Sequence, residues 1–296
     1  KHEMGEASIY VTGSSSKLLS DELSTLLTGR SVVMHVMPLS FKEFKQFREV
    51  EMPLSDKELF DLFLEEGGFP KVALIEKEAK TRELQGYFET IILRDVVARH
   101  SIKNAYALKQ IAHYLVSNTA KLYSANKMRQ TFSISLEAAL NYVQYLKESQ
   151  MFFELQKFDY SLKRQQAAQK KIYCVDTGIV NANAFKTSQD AGRILENTVF
   201  IHLKRMGKEI FYHRDKQECD FVMRKGMKIV EAVQVCYELT QENRKREVNG
   251  LFEAMEKYNL KEGLLLTSDQ EENISIKGKK IIIKPVWKWM LEDSTG

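Results

Sequence analysis

Cys219-Asp220-Phe221-Val222-Met223 and, four residues on, Lys228-Ile229-Val230-Glu231-Ala232-Val233-Gln234-Val235 are the two β-prone runs that decide the class of the C-terminal segment. Working outward, Glu209–His213 is a third β-prone run and Asp190–Met206 has helical spacing. Beyond Val235 the pattern predicts a helix over Glu242–Tyr258 and a strand over Gly263–Leu266. The order is αβββαβ, which places this segment in the α/β class. With 4 Pro and 14 Gly, turn-dense all-β, collagen-like and low-complexity chains are excluded.

A length of 296 residues predicts one oversized domain or two to three ordinary ones. Pattern breaks divide it at 1–100, 101–178 and 179–296. Hydrophobic residues at 44% and charged residues at 28% exclude wholesale disorder. No apolar run approaches the ~20 residues of a membrane span, and no signal peptide is visible. Cys174, Cys219 and Cys236 form no C-x-x-C pair and have no His at zinc spacing, so they read as reduced thiols of a cytoplasmic protein with no structural metal.

The net charge of +4 conceals a gradient. Residues 1–100 hold 13 Lys+Arg against 17 Asp+Glu, residues 101–178 hold 11 against 5, and residues 179–296 hold 20 against 18. The basic middle segment is the footprint expected of a phosphate-contacting surface, and equally of a solvated face.

In that segment Ala105–Ser117, Ser124–Thr131 and Leu136–Ser149 read as helices. Ser133 is the expected cap of the third, and Leu136, Leu140, Val143 and Leu146 its buried stripe. Strands at Met151–Phe158 and Lys171–Val175 flank a basic tip at Ser161–Gln166. Three helices and a hairpin follow the order of a winged helix-turn-helix. The third helix then offers Asn141 and Gln144 to bases, while Lys121, Lys127, Arg129, Lys163, Arg164, Lys170 and Lys171 offer charge to phosphates of double-stranded DNA. Glu137 and Glu148 on the same helix oppose that reading. A protein-interaction or homo-oligomerisation module with a solvated basic wing is the alternative.

The first hundred residues begin with a β-prone run, Ser8–Val11, and a turn at Thr12–Ser16. Gly13 and Lys17 lie four apart with Leu18 next, which is not a G-x-x-x-x-G-K-[ST] phosphate loop. A strand is predicted over Ser31–Val36. Helices are predicted from Pro38-Leu39-Ser40-Phe41 through Phe47, over Asp56–Glu66, and over Thr81–Val97. One strand without an earlier partner, and a chain opening on Lys1-His2-Glu3, predict an incomplete first domain.

Thr12-Gly13-Ser14-Ser15-Ser16-Lys17, Thr28-Gly29-Arg30, Pro38-Leu39-Ser40-Phe41, Gly67-Gly68-Phe69-Pro70, Leu93-Arg94-Asp95-Val96, Val175-Asp176-Thr177-Gly178, Gly192-Arg193-Ile194-Leu195-Glu196-Asn197 and Cys219-Asp220-Phe221-Val222 occur in an order that resembles a bacterial and archaeal family. Its members are predicted AAA-type ATPases with a C-terminal domain of unknown function. The resemblance implies a partial AAA-type P-loop domain at 1–100, with Walker A and Walker B motifs upstream of this sequence. It also implies ATP and magnesium as cofactors of the intact protein. Thr12 or Ser14 would be the sensor beside the γ-phosphate, and Arg30 the arginine finger. Ser14 and Ser15 as a helix N-cap, and Arg30 as a surface residue, are equally consistent. No ATP turnover is expected from these residues alone.

The αβββαβ segment resembles the restriction-endonuclease-like, PD-(D/E)XK-related core, whose carboxylates hold magnesium and whose third-strand Lys positions water. Glu196 and Asp220 match the first two carboxylate positions. Gln234-Val235-Cys236 stands where acid-x-Lys belongs, so the nuclease site reads as degenerate. Glu231 points to the opposite strand face and cannot substitute.

Overall fold

Ser55 opens the first long helix through a capping box: its side chain accepts from Glu58 N while Glu58 accepts from Ser55 N. The computed structural model describes residues 10, 12–13, 32–48, 54–185 and 190–292. Helices α1 (Phe41–Arg48), α2 (Asp56–Glu66), α3 (Pro70–Leu74) and α4 (Lys77–Thr90) begin the fold. Phe41, Phe44, Phe60 and Phe63 interlock between α1 and α2, with ring centroids 5.0–6.5 Å apart. The helix predicted over Thr81–Val97 starts earlier and changes pitch, because Ile91–Ala98 forms a π-helix that buries Ile92, Asp95 and Val96. Residues 32–36, predicted as a strand, are exposed and form none: no described strand lies beside them to accept their backbone bonds.

The next unit runs α5 (Ala105–Ser117), β1 (Lys121–Tyr123), α6 (Ala125–Phe132), α7 (Leu136–Glu148), β2 (Phe152–Leu155), α8 (Leu162–Ala167) and β3 (Lys170–Cys174). Its antiparallel sheet has the order β1-β3-β2. Three expectations are corrected here. Ser135, not Ser133, caps α7 by accepting from Ala138 N; Ser133 is instead the left-handed residue that ends α6. The buried face of α7 is Ala139, Tyr142, Val143 and Leu146, while Leu136 and Leu140 are exposed. The basic tip at 161–166 is helical rather than a loop.

Helix α9 (Thr177–Asn183) packs back on α2 and α4, and α10 (Asp190–Arg205) leads into a six-stranded sheet. Its strands are β4 (Glu209–Arg214), β5 (Glu218–Lys225), β6 (Lys228–Val235), β7 (Glu262–Thr267), β8 (Glu272–Ile276) and β9 (Lys279–Pro285), in the order β4-β5-β6-β7-β9-β8. Pairs β6–β7 and β7–β9 are parallel and the others antiparallel. Helix α11 (Arg244–Lys257) covers one face, and α12 (Val286–Glu292) returns to α1. One cluster of buried side chains runs from Phe41 to Met290, and a second fills the space between α11 and the sheet.

Two sequence blocks more than a hundred residues apart meet in a single joint. Asp176 accepts from Gly68 N at 2.6 Å and from Ile179 N at 3.1 Å, capping α9 and tying it to the end of α2. Gly67 adopts φ 78°, and a Cβ there would lie 2.1 Å from the Asp176 carboxylate. A Cβ on Gly178 would lie 2.1 Å from the Glu66 carbonyl oxygen. The glycines of both blocks exist to let these backbones touch.

Candidate functional site: a carboxylate–ammonium centre

Strand β3 is an apolar run, Ile172-Tyr173-Cys174, that begins with a lysine, and alternation puts Lys171 and Tyr173 on one face. That face meets α10 and β5. Lys171 Nζ lies 2.9 Å from Glu196, 2.8 Å from Glu218 and 3.0 Å from Asp220. The Tyr173 hydroxyl donates to the same Glu196 oxygen at 2.7 Å. Asp220 accepts from Val235 N at 3.1 Å, and its own N–H donates to the Gln234 amide oxygen at 3.1 Å. Gln234 donates to Glu247 at 2.7 Å, and Arg246 closes the series on Glu247 at 2.6 Å. Gly250 lets α11 approach, since a Cβ there would sit 2.2 Å from the Glu218 carbonyl oxygen.

Three carboxylates share one ammonium. Burial, and then the Asp220 charge, push the Glu196 carboxyl up to about 7. Burial alone would lower the Lys171 ammonium, yet Glu196, Tyr173, Asp220 and Glu218 hold it well above its usual range. The Tyr173 phenol is also raised, by burial and then by Glu196.

The fold brings Glu196 and Gln234 close to Asp220, Glu196 through the shared Lys171 ammonium and Gln234 through the Asp220 backbone. Cys236 stands apart: its Sγ faces the Glu238 carbonyl at 3.1 Å, and burial pushes the thiol up to about 11. Glu231 is exposed and pairs with Lys208 at 2.7 Å, on the far side of the strand. Cys236 stands where the resemblance expects a lysine, and the ammonium of this centre comes from the other sheet. Lys171 was expected to contact phosphate, and its burial at 3% exposure overturns that. A lysine leading three apolar strand residues was the available signal of a buried, paired charge. Glu218, Tyr173 and Glu247 had no such signal, because their roles depend on contacts between distant segments.

The residues of this centre do not fit a bound divalent ion, since the cation's place between the carboxylates is filled by the Lys171 ammonium. Among the described residues, the one group whose three ligand atoms lie within 4.8 Å of one another is elsewhere: His213, Asp215 and Glu253. There His213 is fully buried, with Nδ1 3.0 Å from the Tyr258 hydroxyl, and burial lowers its pKa. Asp215 pairs with Lys157 and Lys257, and Glu253 accepts from Lys216 N and Gln217 N. Two ammonium groups balance the two carboxylates, so the arrangement staples a turn.

Asn197, one residue after Glu196, is fully buried and grips β3 from both sides. It accepts from Cys174 N at 2.9 Å and donates to Cys174 O at 3.0 Å. Of the other sequence candidates, Lys121, Lys127, Arg129, Lys163 and Arg164 are exposed, Arg164 pairing with Asp159 at 3.0 Å. Lys170 is half-buried and bound to Glu154 at 3.0 Å. Asn141 and Gln144 are exposed on α7 beside Glu137, Leu136 and Leu140. Thr12 is exposed, and Ser14 and Arg30 lie outside the described residues.

Residues 2–45 match the model of an AAA domain, and residues 57–190 match that of a domain of unknown function, DUF8612. The sequence is 36% identical over 311 aligned positions to the uncharacterized protein MJ1544 of Methanocaldococcus jannaschii, spanning 96% of this chain and 68% of that protein. It is 31% identical over 292 positions to an uncharacterized protein of Haemophilus influenzae, spanning 96% and 71%. The chain belongs to this archaeal and bacterial family of AAA-domain proteins that carry a domain of unknown function.

Proposed function

We propose that this chain is the DNA-contacting arm of an ATP-binding AAA protein, and that its nuclease-like centre is a charge-locked joint rather than a phosphodiesterase. The observation that supports this most is Lys171. Its ammonium stands where a nuclease would hold magnesium, and it comes from the strand of a neighbouring sheet. Glu196 and Asp220 are turned inward as its partners. Phosphodiester hydrolysis needs those carboxylates free to bind metal and water; here they hold the two sheets together.

In this reading ATP and magnesium are bound by Walker motifs of the intact protein, and Thr12, Ser14 and Arg30 act as sensor and arginine finger. Residues 101–178 form a winged helix in which α8 replaces the wing. Lys121, Lys127, Arg129, Lys163 and Arg164 contact backbone phosphates of duplex DNA, with Asn141 and Gln144 presented from α7. A titration of duplex binding against salt tests it. Five phosphate contacts predict that log K falls with log salt at a slope of about −4.5. Binding that is absent, or indifferent to salt, refutes the reading. Added magnesium should produce no strand cleavage.

Leu136 and Leu140 favour a second reading. Two exposed leucines beside Glu137 suit an apolar protein contact better than a phosphate-lined groove, so the same unit would dock a protein or a second copy of this chain. Salt-insensitive self-association lost in Leu140→Ser would support it.

A further inference from the structure

Helix α12 packs against α1, α2 and α10, and it does so over polar atoms that have no partner. His202, on α10, is 8% exposed, and neither of its ring nitrogens has a hydrogen-bond partner among the described residues. Trp289 of α12 meets that ring edge-on, with centroids 4.8 Å apart. Trp287 Nε1, also on α12, is a further buried donor without an acceptor. Buried imidazole and indole groups are ordinarily paired, because each has given up its bonds to water.

What holds the helix is apolar. Val286, Trp289 and Met290 are buried in the cluster that begins at Phe41. The ion pairs Lys284–Glu292 and Lys288–Glu271 sit on the solvent side and reach neither α1 nor α10. Packing thus favours the docked helix, while the three unpaired nitrogens favour its departure, which would return them to water.

The charges around the imidazole discourage a proton while the helix is docked. A cavity of about 20 Å³ beside the ring has two charged groups in its wall, Arg205 from α10 and Asp176 from the start of α9. Arg205 donates to the Pro38 carbonyl and to Glu43 of α1. The Asp176 carboxylate is spent on Gly68 N and Ile179 N. Burial, and then the Arg205 charge, lower the His202 pKa to about 4. Protonation of this ring therefore calls for water at the ring.

We propose that α12 is a detachable strap released by protonation of His202: it docks over the neutral imidazole and leaves when the ring takes a proton. Its release uncovers the seam between α10 and α1 while the six-stranded sheet stays folded.

The test uses the whole chain. Trp287 and Trp289 are its two tryptophans, so indole emission reports on this helix alone. Acrylamide quenching, and hydrogen exchange over 286–292 corrected for intrinsic rates, are followed between pH 7 and pH 5. With the ring titrating at about 4 when docked and at its ordinary 6.5 in water, opening should rise about twentyfold over that range. The sheet amides should not follow, since Glu196 and Asp176 take up protons over the same range and make global unfolding rarer. His202→Gln, polar but not titrating, should abolish the rise. His202→Leu should also lower opening at both pH values, and Trp287→Phe should lower it with the rise intact. Exchange at α12 that is flat between pH 7 and pH 5, or a rise that persists in His202→Gln and His202→Leu, overturns the proposal. Exchange of α12 only together with the six-stranded sheet overturns it as well, for the helix would then be part of the core.

Discussion

Lys171→Met is the perturbation that most directly tests the joint. The lysine side chain is 4% exposed, and those of Glu196 and Asp220 are 12% and 8%. Removing the ammonium therefore strands two carboxylates in a poorly solvated space. Glu218, at 34%, can turn to water and is not counted. Breaking a buried pair from one side costs about 3–5 kcal/mol, or roughly two to three and a half orders of magnitude in the unfolding constant. Proton uptake by Glu196 limits the loss, so the lower end is expected at acid pH. Urea unfolding followed by circular dichroism and by the emission of Trp287 and Trp289 should show the midpoint falling with m unchanged. Adding Glu196→Gln and Asp220→Asn to Lys171→Met should recover most of the loss, since neutral groups need no ammonium. If Lys171→Met alone loses less than about 1 kcal/mol, the carboxylates are solvated and the joint is not a closed ionic centre.

The pH dependence follows from Glu196, whose carboxyl is raised from 4.5 to about 7. Between those values the native state holds a proton that the unfolded chain has released. Stability therefore falls as pH rises through that window, by about 3 kcal/mol in all, and levels off above it. Asp176, pushed up to about 6 by burial, acts with the same sign; Glu196→Gln should flatten the upper part of the decline in pH-resolved denaturation and leave the lower part. Gly178→Ala drives a methyl group to 2.1 Å from the Glu66 carbonyl oxygen, against backbone that cannot turn aside; a loss of about 3 kcal/mol or failure to accumulate folded protein is expected, measured by thermal unfolding. Leu140→Ser, at 52% exposure, should change stability by no more than about 0.5 kcal/mol, and a loss above 2 kcal/mol would mean that this face of α7 is covered.

Much of the element order was legible because local chemistry specifies it. The helix over Asp56–Glu66 has its capping box and a glycine at its end, and the strand over Lys228–Val235 has its apolar run. The phase of α7 was not legible. Leu136, Ala138, Ala139, Leu140, Tyr142, Val143, Tyr145 and Leu146 offer apolar groups on nearly every side, so two stripes satisfy helical spacing, and packing against β2 chooses between them. At the candidate site, Glu196, Asp220 and Gln234 could be named because the family resemblance places its site residues at those positions. The ammonium could not, because Lys171 reaches them from 25 and 49 residues away by a chain path no local rule describes. The substitution of Cys236 for lysine was read as a loss of charge, whereas the charge is supplied from the neighbouring sheet.

Helix α10 is fastened at its middle and at its C-terminal end. At mid-helix Glu196 and Asn197 are held by β3, and at its last residue Arg205 donates to the Pro38 carbonyl at 2.6 Å and to Glu43 at 2.8 Å. Nine helical steps separate Glu196 from Arg205, a rise of about 13.5 Å. Pro38 lies within the stretch that matches the AAA domain, so α10 ties that stretch to the ionic centre at Glu196. In mechanical terms the helix is a connecting rod. The ionic centre is its bearing, seated on the six-stranded sheet through Asp220.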